Sequence, residues 1–177
     1  FGDPDQTSVE RALSEFRSGR PVVVRSDDEM GLIVGVEALD AGTVSALDRL
    51  AGGRARLTLP AARLRYLGLD RVAAGSFALP VIDHDRIHAL SLTLEARADA
   101  PVAPAGAIDV AALELAALAL TLPGVVIVPI VKAPKHAVVV SAAAIDAFRK
   151  TNATNLEMVS RAPVPLEYAR QAEFVVF

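Results

Sequence analysis

Apolar positions recur at two spacings along the chain. Val9, Ala12, Leu13 and Phe16 lie three and four residues apart, the spacing of one helical face. Thr7-Ser8-Val9-Glu10 has the Thr-x-x-Glu form of a capping box, so a helix is predicted to begin near Thr7 and to stop at Gly19. Pro21 follows, and Val22-Val23-Val24 reads as a short buried strand. A polar turn, Ser26-Asp27-Asp28-Glu29, separates it from a second strand over 32–36. Residues 40–50 predict a helix ended by Gly52-Gly53, and Arg56-Leu57-Thr58-Leu59 alternates like a half-buried strand. Pro60 opens a helix with Leu64 and Leu67 inward and Gly68 as its stop. Residues 77–82 predict a strand that Pro80 demotes toward a sheet edge, and Asp83 caps a helix with Ile87, Leu90 and Leu94 inward.

The second half repeats the alternation. Residues 97–106 read as an Ala/Pro/Asp loop, too short to separate domains. Asp109 caps a helix running to about Leu122. Strands are predicted over 124–131 and 137–140, a helix over 142–150, and strands over 156–160 and 174–177. Helices alternating with strands predict an α/β (α+β) fold, a mixed sheet with helices packed on it, in a single domain over 1–177. The apolar run Phe174-Val175-Val176-Phe177 implies a polypeptide that continues, a C-terminal strand tucked into the sheet being the plainer alternative.

Composition narrows the function classes. Hydrophobic residues make up 53% of the 177 and charged residues 22%, enough for a packed core. Net charge is −3 and basic residues are interleaved with acids, so no face suits nucleic acid. There is no cysteine, which removes disulfides, thiolate nucleophiles and Cys-ligated zinc from this chain and fits a cytoplasmic protein. The most apolar stretch, 111–131, is interrupted by Glu114 and broken at Pro123-Gly124, so no membrane span is expected.

Three segments carry a resemblance. Val9-Glu10-Arg11-Ala12-Leu13, Gly19-Arg20-Pro21-Val22-Val23-Val24 and then Asp27-Asp28-Glu29 resemble the opening of 3,4-dihydroxy-2-butanone 4-phosphate synthase. In that family the acidic loop runs D-D-E-D-R-E-N-E-G-D-L, holds magnesium and supplies the acid/base carboxylates that rearrange ribulose 5-phosphate. Here Met30-Gly31-Leu32 follows Glu29, and the rest of the loop is missing. The family's G-H-T-E-A helix start matches Ala107-Ile108-Asp109-Val110-Ala111, with Ile108 at the metal-binding His and Val110 at the Glu. Asp85-Arg86-Ile87-His88-Ala89-Leu90 resembles the phosphate-side D-R-A-x-T-I segment, with Ala89 in place of Thr. The eroded motifs imply a catalytically dead domain with no catalytic residue and no metal or other cofactor of its own.

A narrower resemblance joins Ser14-Glu15-Phe16-Arg17-Ser18-Gly19-Arg20-Pro21, Ala62-Arg63-Leu64-Arg65-Tyr66-Leu67-Gly68 and Ala162-Pro163-Val164-Pro165-Leu166-Glu167. These look like the degenerate N-terminal domain of alphaproteobacterial-type GTP cyclohydrolase II proteins. The resemblance implies a C-terminal cyclohydrolase domain after residue 177, holding zinc through three cysteines, and a homodimer as in the synthase family. The chain itself is then expected to be a structural or regulatory domain in riboflavin biosynthesis. An active synthase with a rearranged site and a metabolite sensor are the alternatives.

Asp27, Asp28 and Glu29, with Asp85 and Arg86, are the candidate remnant phosphate or ligand site. A solvated acidic turn and a surface ion pair are the plainer readings. His84 and His88, at i and i+4, share a helical face, but no H-E-x-x-H base accompanies them. Lys132-Ala133-Pro134-Lys135-His136 reads as a solvated basic turn. No phosphate-cradling G-x-x-x-x-G-K-[ST] and no G-x-S-x-G occurs.

Overall fold

A computed structural model describes residues 3–27, 29–154, 158–168 and 171–176. Helix α1 spans Pro4–Arg17, followed by strands β1 (Val22–Ser26) and β2 (Glu29–Gly35). Then come α2 (Ala41–Ala51), β3 (Ala55–Leu59), α3 (Ala61–Tyr66), β4 (Gly75–Leu79) and α4 (His84–Leu92). The rest is β5 (Val102–Pro104), α5 (Ala107–Leu118), β6 (Val125–Ile130), β7 (Val138–Ser141), α6 (Ala142–Thr154), β8 (Ser160–Pro163) and β9 (Glu173–Val176). Seven strands form one sheet in the order β5-β4-β3-β6-β2-β1-β7; only β1 and β7 run parallel. The mixed α/β architecture is the one predicted.

Alternation along the strands builds two cores, because successive side chains point to opposite faces. Val22 and Val24 join Ile33, Val125, Ile127 and Val140 under α1, α5 and α6. Val23 joins Leu57, Phe77, Val126 and Val128 under α2, α3 and α4. Gly75 is required where β4 meets β5, since a Cβ there would sit 2.4 Å from Val102 Cγ1 and 2.8 Å from the Ala103 carbonyl oxygen.

Several predicted boundaries move, each for a local reason. Asp3, not Thr7, caps α1: its carboxylate accepts from the Asp5 amide at 3.0 Å, and Pro4 opens the helix, where its missing N–H costs nothing. Thr7 instead donates its hydroxyl to the Asp3 carbonyl at 3.1 Å. Glu29 belongs to β2, so the acidic turn is shorter than expected. β4 is an interior strand that ends at Leu79, with Pro80 just outside it. Residues 97–106 contain β5, which pairs with β4. Leu94 lies past the end of α4 and is exposed. Asp109 sits in the first turn of α5, which Gly106 caps. Of the strand expected over 156–160, only Ser160 is in a strand, as the start of β8; 158 and 159 are not, and 155–157 lie outside the described residues.

Long-range arginines tie helix ends to the body. Arg17 donates to the Ala119 and Leu118 carbonyls at 3.0 and 3.1 Å, closing the end of α5. Arg63 does the same for α4, donating to the carbonyls of Leu90 (2.7 Å), Ala89 (3.1 Å) and Thr93 (2.7 Å). The Ala89 carbonyl also accepts from the Thr93 amide at 3.2 Å and the Thr93 carbonyl from the Ala96 amide at 3.4 Å, so at these helix ends a cation supplements the backbone bonds and matches the helix dipole. Arg63→Ala is expected to cost about 1–2 kcal/mol, read as a lower urea midpoint at unchanged m-value.

Candidate functional site

The hairpin β1–β2 is tight. Ser26 pairs with Glu29, so two residues, Asp27 and Asp28, separate the strands. Asp27 takes the left-handed conformation (φ 49°) that Asp tolerates in turns. It is exposed, as is Glu29; Asp28 lies outside the described residues. Next to this hairpin a cleft of about 370 Å³ is lined by Glu29, Met30, Arg56, Ile108 and Pro129–Val131.

Register explains who meets there. Glu29 and Gly31 of β2 point to the face covered by α5, and Gly31 stands opposite Pro129. A Cβ on Gly31 would come within 3.0 Å of both Ile108 Cγ2 and Ile127 Cγ2. Ile108 is buried there, so an aliphatic side chain fills the floor of the cleft.

Beside Ile108 lies a polar hub that sequence reading assigned only a capping role. Asp109 Oδ1 accepts from Arg56 Nε at 2.6 Å, Thr58 Oγ1 at 2.7 Å and Ser76 Oγ at 3.1 Å. Its Oδ2 accepts from the Gly106 amide at 2.8 Å. The Asp109 side chain is 7% exposed and that of Arg56 26%. Burial pushes the Asp109 carboxyl up, but the hydrogen bonds from Arg56 and Thr58, the Arg56 charge and the Gly106 amide together hold it below the usual range. Alternation was the available signal: Arg56 and Thr58 share one face of β3, and Asp109 is a carboxylate on an otherwise apolar helix start.

The predicted site residues do not converge. Arg86 turns away from Asp85 and makes a two-point pair with Asp99, Nε to Oδ2 at 2.6 Å and Nη2 to Oδ1 at 3.0 Å. The Asp85 side chain is fully exposed, with its Oδ1 3.3 Å from His84 Nδ1. The Arg86 hydrogen bond holds the Asp99 carboxyl below its ordinary range. Asp85 and Arg86 both sit on α4, under the opposite face of the sheet from Gly31 and Ile108, and neither lines the cleft. His84 and His88 do share a face, with ring centroids 6.3 Å apart. Among the described residues no three His, Asp or Glu side chains come together as a metal site.

No protein-family model matches the chain. A solved 3,4-dihydroxy-2-butanone 4-phosphate synthase in complex with two magnesium ions superposes with a TM-score of 0.65 over 84% of this chain and 99% of that one, at 16% identity. A two-domain synthase from A. baumannii superposes with a TM-score of 0.64 over 91% of this chain and 63% of that one, at 19% identity. The fold is that of 3,4-dihydroxy-2-butanone 4-phosphate synthase. By sequence, this synthase-like domain is 28% identical over its whole length to a GTP cyclohydrolase-2 of Xylella fastidiosa, of which it covers 46%. It is 33% identical over 104 residues to the synthase of Bordetella pertussis, matching 55% of this chain and 41% of that protein. The chain therefore spans less than half the length of these curated relatives. No helix among the described residues is long and apolar enough to cross a membrane.

Magnesium in the synthase relative invites a test of fit. Magnesium needs several hard oxygen ligands in near-octahedral array. In this synthase-like domain the cleft offers Glu29 at its rim and Ile108 on its floor; Asp109, next to Ile108 in the chain, does not line it, and its oxygens already accept from four donors. The described residues do not fit the ion.

Proposed function

We propose that the chain is a non-catalytic structural or regulatory N-terminal domain of a riboflavin-biosynthesis GTP cyclohydrolase II, working in the cytoplasm. The observation that carries this reading is Ile108, buried over Gly31 where the synthase resemblance requires a metal-binding His. An aliphatic side chain neither ligates a cation nor moves a proton, and enolisation needs a placed base. The GTP cyclohydrolase-2 relative, more than twice as long as its match here, supports a second domain on the same polypeptide. Zinc and the three cysteines that would hold it belong to that domain, since this chain has no cysteine. In this reading two copies pair as a homodimer, and Asp27, Asp28, Glu29, Asp85 and Arg86 are remnants of a phosphate or ligand site.

The test is direct. The protein, incubated at high concentration with ribulose 5-phosphate and magnesium, is expected to give no dihydroxybutanone phosphate above an enzyme-free blank. Magnesium-dependent product that disappears in Glu29→Gln would overturn the reading in favour of an active, rearranged synthase. The cleft favours one other reading, a metabolite sensor, because Arg56 lines it with its guanidinium held by Asp109. A ligand at 100 times its Kd raises stability by about 2.7 kcal/mol, so thermal shifts with GTP, ribulose 5-phosphate and a flavin decide it.

A further inference from the structure

We infer that the apolar face of the β8–β9 hairpin is a docking surface for a second domain carried on the same polypeptide. This rests on the reading of the chain as one domain of a longer enzyme. The two strands form a sheet of their own, paired with no strand of the main sheet. Cross-strand partners share a face, so the register sorts the side chains. Ala162 stands opposite Phe174 and Ser160 opposite Val176. Val164, whose amide donates to the Ala172 carbonyl at 2.9 Å, extends the same face. Phe174 is 65% exposed and Val176 39%. The other face holds Arg161 and Glu173, paired at 2.6 Å, together with Pro163 and the half-buried Val175.

The hairpin is thus amphipathic with its apolar side in water. A two-stranded hairpin is marginal in water unless its apolar face packs on something. Size selects the occupant. Four side chains on two strands about 4.8 Å apart cover roughly 200 Å². A stable free pair of proteins needs about 800 Å² on each partner. A tethered domain sits at an effective concentration in the ~mM range, so a patch of this size suffices as part of an interdomain contact.

Hydrogen exchange on 160–176 in the full-length protein, beside residues 1–177 alone, tests this. The hairpin amides are expected to exchange at least about tenfold more slowly in the full-length protein. Phe174→Glu in the full-length protein is expected to abolish that difference, while Val175→Thr, on the charged face, leaves it intact. Equal protection in both forms means the hairpin packs on its own domain and overturns the inference. Protection of 1–177 that grows with its concentration makes a second copy the occupant, and also overturns it. GTP hydrolysis by the same full-length preparation is measured separately: its absence sinks the cyclohydrolase reading, whereas hydrolysis without hairpin protection sinks only the docking surface.

Discussion

Asp109→Asn is expected to lower the unfolding free energy by about 2–4 kcal/mol at neutral pH, because it removes one partner of a largely buried ion pair and leaves the other. Arg56, Thr58, Ser76 and the Gly106 amide all donate to this carboxylate. An amide of the same shape has one accepting oxygen and turns an NH₂ toward the remaining donors. Arg56 is a quarter exposed and can partly rehydrate, which keeps the loss below that of a fully buried charge. Wild-type stability should also depend on pH in a defined direction. The folded Asp109 carboxyl lies below its ordinary value, so its contribution is complete above the unfolded pKa near ~4 and is lost as pH falls through the folded one. Urea melts of wild type and Asp109→Asn between neutral pH and pH 3 should converge as the pH drops. Parallel curves would mean the hub stabilises by shape and not by charge.

The hub shows what was legible and what was not. The apolar period of α1, the valine run of β1 and the apolar stretch 111–131 broken at Pro123-Gly124 placed the central strands and their helices, since burial of one face leaves the pattern little freedom. The acidic turn was also visible, but its tightness was not: that Glu29 enters β2 follows from pairing with Ser26, a contact between strands. That Arg86 pairs elsewhere than with Asp85 has a related reason. Neighbours in sequence on a helix do not face each other, and Arg86 found Asp99 thirteen positions on, in a stretch that reads as loop. Asp109 was read as a helix cap, which is half its role; its contacts to β3 and β4 span 51 and 33 positions and leave no local signature. β5 was missed because three residues with a proline offer no period to read.

The second large effect concerns the residue on which the functional reading turns. Ile108→Ala is expected to cost about 2–4 kcal/mol, the range for emptying a buried aliphatic site that collapses only in part. Gly31→Ala should cost about 1–3 kcal/mol in the wild-type background, because the new methyl would press on Ile108 Cγ2 and Ile127 Cγ2 at 3.0 Å. Combined, the two changes should cost less than their sum, by at least about 0.5 kcal/mol, since the truncated Ile108 vacates one of the two contacts. That coupling, measured by a double-mutant cycle in urea, distinguishes two accounts of the cleft. If Ile108 is a space-filler seated against Gly31, the cycle is non-additive, and the position that a metal-binding His would need is occupied by core packing. If the costs simply add, the cleft floor relaxes independently of β2. The space over Gly31 is then open to other side chains or ligands, and the argument that packing has replaced chemistry at this site falls.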